Sequence, residues 1–597
     1  MTRTSPSSSP NPISTTARST PATDFPSKNS AAKRLLQEAK RLGVKYLFVN
    51  LGSDHPAFIE AFAPLHQEGL EMPQIVICPH EMTALSAAHG YAMVHHEAQM
   101  VLVHVDVGTQ NLGCSVSNAS RSRVPCIIVA GLSPVTTNGS RLGARSEFIH
   151  YTQDAPRQSE IVSQYMKWCY ELRAAEMIDE VLLRAKQIAS SSPMGPVYLT
   201  ASREVWEEPS TGPLREQAHW PAVQDLGMGA QEARDLVSVI AKSKRPLVLT
   251  SYLGRHPGAV HDLVALSDAL GFAVCELNPH TMNFPGDHPH HLGYRRNTLI
   301  KDADLILMID IDVPWIMSKV SPQPGCRFFF IDADPIKSNL GFWHFPSEKT
   351  WAANSALCLA QMRHEAGSLF LDHHQVLARK HWIQEAKATT AMPNLPTPAD
   401  GCINIQQLSQ AVKALVNERT VIVFEEPTAT ERLLETLKMS QPGSYYANGG
   451  SGLGWGINAA IGIKLASPSA EVITVVGDGS YLFGVPSSAF WVAETYGAPQ
   501  LCIVFNNRGW GAPKVSTLLV HPEGVAKNTD HYWITVGAQA QFADIAHAAS
   551  GAGAFRVEHI HQLQGALAQA LALVRSGKSA VVDVVVLPVS SQVLGEP

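Results

Sequence analysis

Short apolar runs recur along the chain, and most of them end in Gly, Asn, Asp or Ser. In the first third of the sequence, segments of small or amphipathic residues separate one run from the next. This alternation predicts β-strands joined by crossover helices, the pattern of a doubly wound parallel sheet. The runs of this region lie at residues 46–49, 75–77, 100–105 and 126–130.

Two proline-containing breaks, at 207–221 and 392–398, divide the alternating pattern into three blocks. We therefore predict an α/β protein of three doubly wound parallel-sheet domains. A Ser/Thr/Pro-rich tail precedes them and is predicted to be disordered, because it has little apolar surface to bury. The predicted bounds are 1–30 for the tail and 31–206, 222–379 and 400–590 for the domains.

Composition restricts the partners and the compartment. The chain has 597 residues and a net charge of −6, so it lacks the basic surface that nucleic-acid binding requires. No apolar run reaches the roughly 18 residues that span a bilayer. Nine cysteines without a C-x-x-C motif indicate a reduced, cytoplasmic protein. The Ser and Arg residues of the tail leave a mitochondrial location open, although the tail prolines disfavour an amphipathic helix.

Polar residues follow two consecutive apolar runs of the last block, at 472–476 and 501–505. A helix is predicted between these runs, at 487–496, so the unit is strand, helix and strand. Parallel strands joined in this way place their carboxyl ends at one sheet edge, where open α/β sheets bind ligands.

The residues at that edge have a specific chemistry. Asp478 offers a carboxylate, Asn507 an amide oxygen and Gly509 a backbone carbonyl. Three oxygen ligands suit a hard cation such as Mg²⁺. Gly477 and Gly479 let the backbone approach phosphate groups closely. The alternative is an ordinary buried strand–helix–strand unit with turn residues at its ends.

The GDGS and NN-x-G motifs together resemble the signature of thiamine diphosphate (ThDP) enzymes, in the branch of acetolactate synthase, benzoylformate decarboxylase and pyruvate decarboxylase. The resemblance implies pyrimidine-binding, middle and diphosphate-binding domains, with ThDP and Mg²⁺ as cofactors. It implies that Ser480 and Thr428 bind the diphosphate and that Leu453 bends the cofactor, which brings its reacting groups together. The segment between the motifs is slightly longer here, so the loop at 482–486 departs from the family.

The segment HEMTALSAAHGYA opens a predicted helix at Glu81. Taken alone, Glu81 complements the positive end of that helix. The segment also resembles the catalytic glutamate motif of ThDP enzymes. The resemblance implies that Glu81 hydrogen-bonds N1′ of the cofactor and promotes loss of its C2 proton.

Two further candidates come from resemblance to benzoylformate decarboxylase. His104 lies in HVDVGTQNLG and matches that enzyme's active-site histidine, while Ser53 lies in NLGSDHPAF and matches its active-site serine. Leu51 replaces a proline of that enzyme's motif. The resemblance implies that Ser53 and His104 bind substrate and transfer protons.

Four other patterns have weaker functional interpretations. The glycine-rich stretch 448–456 lacks the spacing of a dinucleotide fingerprint, and 576–579 lacks the first glycine of a P-loop, which predicts a helix end there. The histidines of 287–291 are a candidate zinc site or a surface loop. The middle-domain strand end at 309–312 resembles a nucleotide-binding edge. Acetolactate synthases hold FAD in that domain, so FAD stays open here without support from the residues.

The resemblance implies decarboxylation of a 2-oxo acid. Pro513 stands where pyruvate decarboxylase has a glutamate, and fewer proton donors favour carboligation with an aldehyde or ketone acceptor, as in acetolactate synthase. The alternative is simple decarboxylation to an aldehyde. A third interpretation is that the protein is a relative that binds ThDP without catalysing a reaction. In the family, Glu81 of one subunit reaches the GDG domain of another, which implies a homodimer or homotetramer.

Overall fold

Three six-stranded sheets, one in each predicted domain, organise the chain. The computed structural model describes residues 29–67, 69, 71–212, 215–294, 297–536 and 540–588. Residues 1–28 of the predicted tail and 589–590 of the last predicted domain lie outside the described residues. Every strand pair in the described sheets is parallel, which confirms the predicted α/β class.

The first domain has its sheet flanked by helices. Its strands are β1 (Tyr46–Val49), β2 (Gln74–Ile77), β3 (Gln99–Val103), β4 (Cys126–Leu132), β5 (Trp168–Leu172) and β6 (Val197–Ser202). Its helices are α1 (Ala31–Arg41), α2 (Pro56–Gln67), α3 (Glu81–His95), α4 (Asp106–Asn111), α5 (Ser115–Arg121), α6 (Ile149–Thr152), α7 (Ile178–Ser190) and α8 (Arg203–Glu207).

The middle domain has fewer helices. Its strands are β7 (Pro246–Thr250), β8 (Ala273–Glu276), β9 (His291–Tyr294), β10 (Leu305–Ile309), β11 (Arg327–Asp332) and β12 (Lys349–Ala352). Its helices are α9 (Ala230–Lys242), α10 (Pro257–Leu270), α11 (Asn297–Asp302), α12 (Ser355–Ser368) and α13 (His373–Thr390).

The third domain repeats the plan of the first. Its strands are β13 (Thr420–Glu425), β14 (Tyr445–Ala447), β15 (Glu471–Gly477), β16 (Leu501–Asn506), β17 (Gly553–Val557) and β18 (Ala580–Val585). Its helices are α14 (Ile405–Lys413), α15 (Thr430–Leu437), α16 (Gly456–Ala466), α17 (Asp478–Phe483), α18 (Pro486–Thr495), α19 (Gly511–Val520), α20 (Val525–Thr529), α21 (Phe542–Ser550) and α22 (Ile560–Arg575).

Strand order shows how the domains are related. The first sheet runs β2-β1-β3-β4-β6-β5 and the third runs β14-β13-β15-β16-β18-β17, so both follow one order. The middle sheet, read from β9, runs β9-β8-β7-β10-β11-β12. This is the 3-2-1-4-5-6 order of dinucleotide-binding folds, with its switch point between β7 and β10.

Helices α3 and α16 pack against each other and join the first domain to the third. Both are rich in small residues and buried on nearly all sides, as expected of core helices. Gly90 and Gly462 permit the close approach, because a β-carbon at Gly90 would overlap the carbonyl of Ala459 and one at Gly462 would overlap that of Ala87. The segments that open these two helices are therefore held in a fixed relation.

The GDGS segment, predicted as the polar end of a strand, also begins a short helix that takes up part of the predicted loop at 482–486. Helix α17 begins at Asp478, directly after β15, and α18 follows from Pro486. Proline at the first position of α18 suits a helix start. The SGKS segment is the predicted helix end, because α22 ends at Arg575 and Gly577 has a φ of 97°. Among the described residues, no helix combines the length and apolar character of a membrane span.

Candidate active site

A cavity of about 670 Å³ opens at the carboxyl ends of β13, β15 and β16. Its volume falls in the range of small-molecule pockets, about 300–1,000 Å³. We call it the C-terminal cavity, because its walls come from the third domain except for Asn278 and Pro279. It is lined by every residue that was predicted to bind metal or cofactor: Thr428, Leu453, Gly477, Asp478, Gly479, Ser480, Asn507 and Gly509.

Asp478 is a buried carboxylate in this cavity, with 2% of the residue exposed. The backbone N–H groups of Gly479 and Gly509 donate to its two oxygens at 2.7 and 2.9 Å. Burial nevertheless raises the pKa of Asp478 to about 6, against these hydrogen bonds. A cation at the carboxylate would offset the cost of burying its charge, so the surroundings of Asp478 fit a metal ligand.

Asn507 places a second hard oxygen beside this carboxylate. Its amide oxygen accepts the N–H of Gly509 at 3.2 Å, and the same N–H donates to Asp478. The two side-chain oxygens therefore converge on one backbone group. A carboxylate and an amide oxygen at one point, with the Gly509 carbonyl nearby in the chain, fit the oxygen ligation that Mg²⁺ prefers.

Position 479 has two reasons to be glycine: the close approach of a phosphate group and the packing of a tryptophan. A β-carbon at Gly479 would overlap the indole nitrogen of Trp510, which also lines the C-terminal cavity. Trp510 lies just beyond the NN-x-G motif, and the sequence analysis missed its role in shaping the cavity. Its partner is distant in sequence, so the local pattern carried no signal for the contact.

Two buried glutamates at the end of β13 support the cavity wall. Glu425 accepts the backbone N–H groups of Trp455 and Gly456 at 3.1 and 2.8 Å, so it caps the start of α16. Glu426 accepts the hydroxyl of Thr428 at 2.5 Å. Burial raises the pKa of Glu425 to about 8 and that of Glu426 to about 7. Because the Thr428 hydroxyl already donates to Glu426, Ser480 is the freer of the two predicted diphosphate ligands.

Leu453 lies in a loop that the first domain holds in place. Asn118 of α5 accepts the N–H of Gly452 at 3.1 Å and donates to its carbonyl at 2.9 Å. The thiol of Cys114 donates to the carbonyl of Leu453 at 3.4 Å. Contacts at three backbone groups of two adjacent residues restrain the loop, and with it the leucine side chain at the cavity wall.

Glu81, Ser53 and His104 belong to a second group of residues, in the first domain. Glu81 begins α3, is 6% exposed and accepts a hydrogen bond from Asn111. A β-carbon at Gly108 would lie 2.9 Å from the β-carbon of His104 and 3.2 Å from Oε1 of Glu81, so these two side chains flank one glycine. We call Ser53, Asp54, Glu81, His104 and Asn111 the N-terminal cluster.

The sequence analysis missed Asp54, which is hydrogen-bonded to Nδ1 of His104. Burial lowers the pKa of His104, but the hydrogen bond and charge of Asp54 outweigh burial, and the net pKa is raised. The residue follows Ser53 directly, so the only sequence signal was an acid beside a candidate serine. The hydroxyl of Ser53 is buried and has no hydrogen-bond partner within the described part of the chain, which leaves it free for a ligand.

The first domain contacts the rim of the C-terminal cavity through Cys114 and Asn118, but its candidate site residues lie outside the lining. The described residues that line the cavity include none from the first domain.

Comparison with known proteins identifies the domains of the chain. Models of thiamine pyrophosphate enzymes match the chain in three regions: the N-terminal TPP binding domain at 29–161, the central domain at 233–341 and the C-terminal TPP binding domain at 429–584. The chain belongs to the ThDP-dependent enzyme family. Its cofactor-binding domains are the first and third, which carry the N-terminal cluster and the C-terminal cavity.

Relatives of this ThDP enzyme differ in the reactions that they catalyse. Benzoylformate decarboxylase of Pseudomonas aeruginosa is 25% identical over 486 residues, covering 79% of this chain and 85% of that protein. The large subunit of acetolactate synthase isozyme 3 of Escherichia coli is 23% identical over 585 residues, covering 93% and 95%. The structure of benzoylformate decarboxylase from Polynucleobacter necessarius superposes with a TM-score of 0.76 at 20% identity, covering 94% of this chain and 100% of that one.

The middle domain of this ThDP enzyme has a nucleotide-type strand order, but side chains fill its switch point. Tyr252 follows β7, and its hydroxyl donates to Asp332 at the end of β11 at 2.6 Å. The amine of Lys337 donates to Asp332 and to Tyr252 at 2.8 and 2.7 Å. Arg123 of the first domain donates to Asp312 at 2.7 Å. This buried ionic network occupies the place where a dinucleotide would bind.

We therefore expect the protein not to bind FAD. Binding would require buried ion pairs to be broken and would leave their charges unpaired, which costs about 3–5 kcal/mol for each pair. Titration with FAD, followed by gel filtration and visible absorbance, should show no retained flavin. One flavin retained per chain would contradict the expectation.

The histidine loop at 287–291 brings two histidines close to Asp268. The backbone N–H of His290 donates to Nδ1 of His288 at 3.1 Å, which leaves the proton of neutral His288 on Nε2, 3.4 Å from Asp268. Ser267 donates its own proton to Phe272, so it accepts Nδ1–H of His290 at 2.8 Å. Hydrogen bonds within the protein thus account for Nδ1 of both rings. The ligand atoms of Asp268, His288 and His290 lie within 4.8 Å of one another and His290 is buried, so this group stays a candidate zinc site.

Proposed function

We propose that this protein is a Mg²⁺- and ThDP-dependent enzyme that decarboxylates a 2-oxo acid and releases the remaining fragment as an aldehyde. The observation that supports this proposal is the division of the site. Asp478 and Asn507 converge in the C-terminal cavity, while Glu81 and His104 lie together in the N-terminal cluster. The first pair suits oxygen ligation of a metal–diphosphate group, and the second suits acid–base chemistry at a reacting group.

Each of these residues has a stated task in the proposal. Asp478, Asn507 and the Gly509 carbonyl hold Mg²⁺. Ser480, Thr428 and the backbone at Gly477 and Gly479 contact the diphosphate, and Leu453 supports the bent cofactor. Bound ThDP supplies the carbon nucleophile and accepts the electrons that remain when CO₂ leaves. Glu81 holds a proton at the pyrimidine ring, and the buried cluster excludes water from the substrate carboxylate.

A homodimer is the smallest unit that unites the two parts of the site. Since no residue of the N-terminal cluster lines the cavity as described, we propose that Glu81 of one copy lies near Asp478 of another. Exposed apolar side chains near the cluster support a subunit contact there: Ile77 is 48% exposed and Val107 is 42% exposed. A homotetramer would repeat this pair.

Carboligation with a second carbonyl compound is the other candidate. The sequence favoured it because few proton donors were evident, as at Pro513. The contact with Asp54 adds one proton donor to the site, because it keeps His104 in the form that can donate a proton. Aldehyde release therefore leads, and an acetolactate synthase-like product remains the second candidate.

The test supplies ThDP and Mg²⁺ with pyruvate or with benzoylformate and measures CO₂, aldehyde and 2-hydroxyketone separately. Aldehyde equal to CO₂ supports the proposal, whereas 2-hydroxyketone as the main product supports carboligation. Cofactor binding without CO₂ from either acid would contradict the proposal and would leave a non-catalytic relative.

Changing Leu453 to alanine should separate binding from turnover. The diphosphate and metal contacts stay intact, so ThDP affinity should change little, while a misplaced reacting atom lowers turnover about 100-fold. Calorimetry of ThDP binding and CO₂ release measure the two effects. Leu482→Ala is the matched control, because Leu482 is 38% exposed and lies outside the cavity lining. Equal turnover in the two variants would contradict the role of Leu453.

A further inference from the structure

Asp54 is a buried carboxylate with an incomplete set of partners. It is 1% exposed, and its Oδ2 has no hydrogen-bond partner among the residues that the structure describes. Its Oδ1 is hydrogen-bonded to Nδ1 of His104. A buried carboxylate that lacks a compensating positive charge is strongly unfavourable, so the protonation state of its neighbours matters.

His55, the other ring close to Asp54, does not supply that charge. Its Nδ1 lies 3.3 Å from Asp54, but the same nitrogen accepts the backbone N–H of Gly52 at 3.0 Å. An accepting Nδ1 carries no proton, so this ring is neutral. Burial also lowers the pKa of His55.

His104 is therefore the group that can pair with Asp54. Its Nδ1–H donates to the carboxylate, and its Nε2 makes no hydrogen bond within the described chain. Acids on two other elements also face it: Glu81 at the start of α3 and Asp106 at the start of α4. Asp54, Glu81 and Asp106 each favour the imidazolium of His104.

Two glycines leave the room that this pair needs. A β-carbon at Gly52 would overlap the ring of His104, and one at Gly131 would overlap Oδ2 of Asp54. The pair is thus packed from both sides by backbone. Geometry, in addition to charge, holds the ring with Nδ1 toward the acid and leaves Nε2 as its free nitrogen.

We propose that Asp54 is a positioning residue that keeps His104 protonated, and that Nε2 of His104 delivers the proton that turns the decarboxylated fragment into an aldehyde. This inference rests on the proposed function and deepens it, because it names the residue pair that decides between aldehyde release and carboligation.

The proton transfer balances without a further reactant. When CO₂ has left, the carbon that carried it takes the proton from Nε2 of His104. His104 becomes neutral and keeps Nδ1–H on Asp54, and solvent then returns a proton to Nε2. The sum is a 2-oxo acid anion plus one proton giving an aldehyde and CO₂.

The test compares Asp54→Asn with Asp544→Asn in the full-length protein loaded with ThDP and Mg²⁺. Asp54→Asn keeps the shape and removes the charge, so aldehyde formation should fall about 100-fold. The fraction of 2-hydroxyketone should rise when an acceptor aldehyde is supplied. Asp544→Asn removes an exposed carboxylate on α21, outside the N-terminal cluster and the cavity lining, and its aldehyde rate should stay within about twofold of the parent.

The pH dependence of aldehyde formation tests this role directly, because a residue with a merely structural role would not shift it. A raised pKa of His104 keeps the acid form at higher pH, so aldehyde formation should fall only as pH rises through that pKa. In Asp54→Asn this fall should move to lower pH. His104→Gln and the double variant should have equal rates, because Asp54 acts through His104.

Two results would overturn the proposal: an unchanged pH profile in Asp54→Asn, or a double variant much slower than His104→Gln. If Asp54→Asn does not fold, NMR titration of His104 in the parent protein decides, and an ordinary or lowered pKa would overturn it. The same titration needs no substrate. It therefore tests the Asp54–His104 pair independently of the proposed function. The proposed function fails separately if the parent protein releases no CO₂.

Discussion

Replacing Asp478 with alanine will weaken Mg²⁺-dependent ThDP binding by more than about 100-fold and abolish turnover, since even outer-shell partners of a bound metal contribute about 10- to 100-fold. The physical reason is the position of the carboxylate. It is the only acidic side chain of the GDGS and NN-x-G motifs, and it lies beside Asn507. Equilibrium dialysis with ThDP and Mg²⁺ measures the binding, and CO₂ release measures the turnover.

Loss of binding in this variant must not come from loss of the fold. Asp478→Asn therefore accompanies it, because the amide keeps a hydrogen-bond acceptor for Gly479 or Gly509 while removing the charge. Asp544→Ala is the surface control on α21, and it should bind cofactor within about twofold of the parent. Tight ThDP binding by both Asp478 variants would refute the proposed metal site.

The Glu81→Gln variant should bind ThDP almost as well as the parent and lose turnover by about 10²- to 10⁴-fold, the range of general acid–base effects. Glutamine is isosteric and still accepts a hydrogen bond from Asn111, but it cannot hold the negative charge that promotes proton loss from the cofactor. Exchange of the C2 proton of bound ThDP in D₂O, followed by NMR, measures that step directly. Exchange should slow together with turnover.

Glu97→Gln is the matched control, because Glu97 lies just after the same helix and is exposed. It should exchange and turn over as the parent does. Full activity in Glu81→Gln would reduce Glu81 to a first-turn glutamate that only complements its helix.

Mixing the two inactive variants tests the subunit arrangement. In a mixed dimer, Glu81 of the Asp478→Ala chain would meet Asp478 of the Glu81→Gln chain, and one of the two sites would be intact. Random pairing in a symmetric dimer then restores roughly a quarter of the parent activity. No recovery after unfolding and joint refolding would place the whole site within one chain.

Local sequence determined the class of fold and half of the candidate site. Apolar runs that end in glycine and polar residues report strands and their ends, because burial of a central parallel strand requires a continuous apolar segment. Asp478 and Asn507 follow consecutive strands, so their meeting at one sheet edge was a consequence of right-handed crossovers. The structure places them together at the shared N–H of Gly509.

Tertiary structure alone decided which distant groups became partners. Asp54 contacts His104 because β1 pairs with β3. Trp510 packs against Gly479 because β15 pairs with β16. The middle domain shows the same limit, since its strand ends suggested a nucleotide edge while Arg123, from another domain, helps to fill it. Periodicity records whether a residue is buried and on which face, whereas pairings across elements depend on the strand order and on the packing of whole domains.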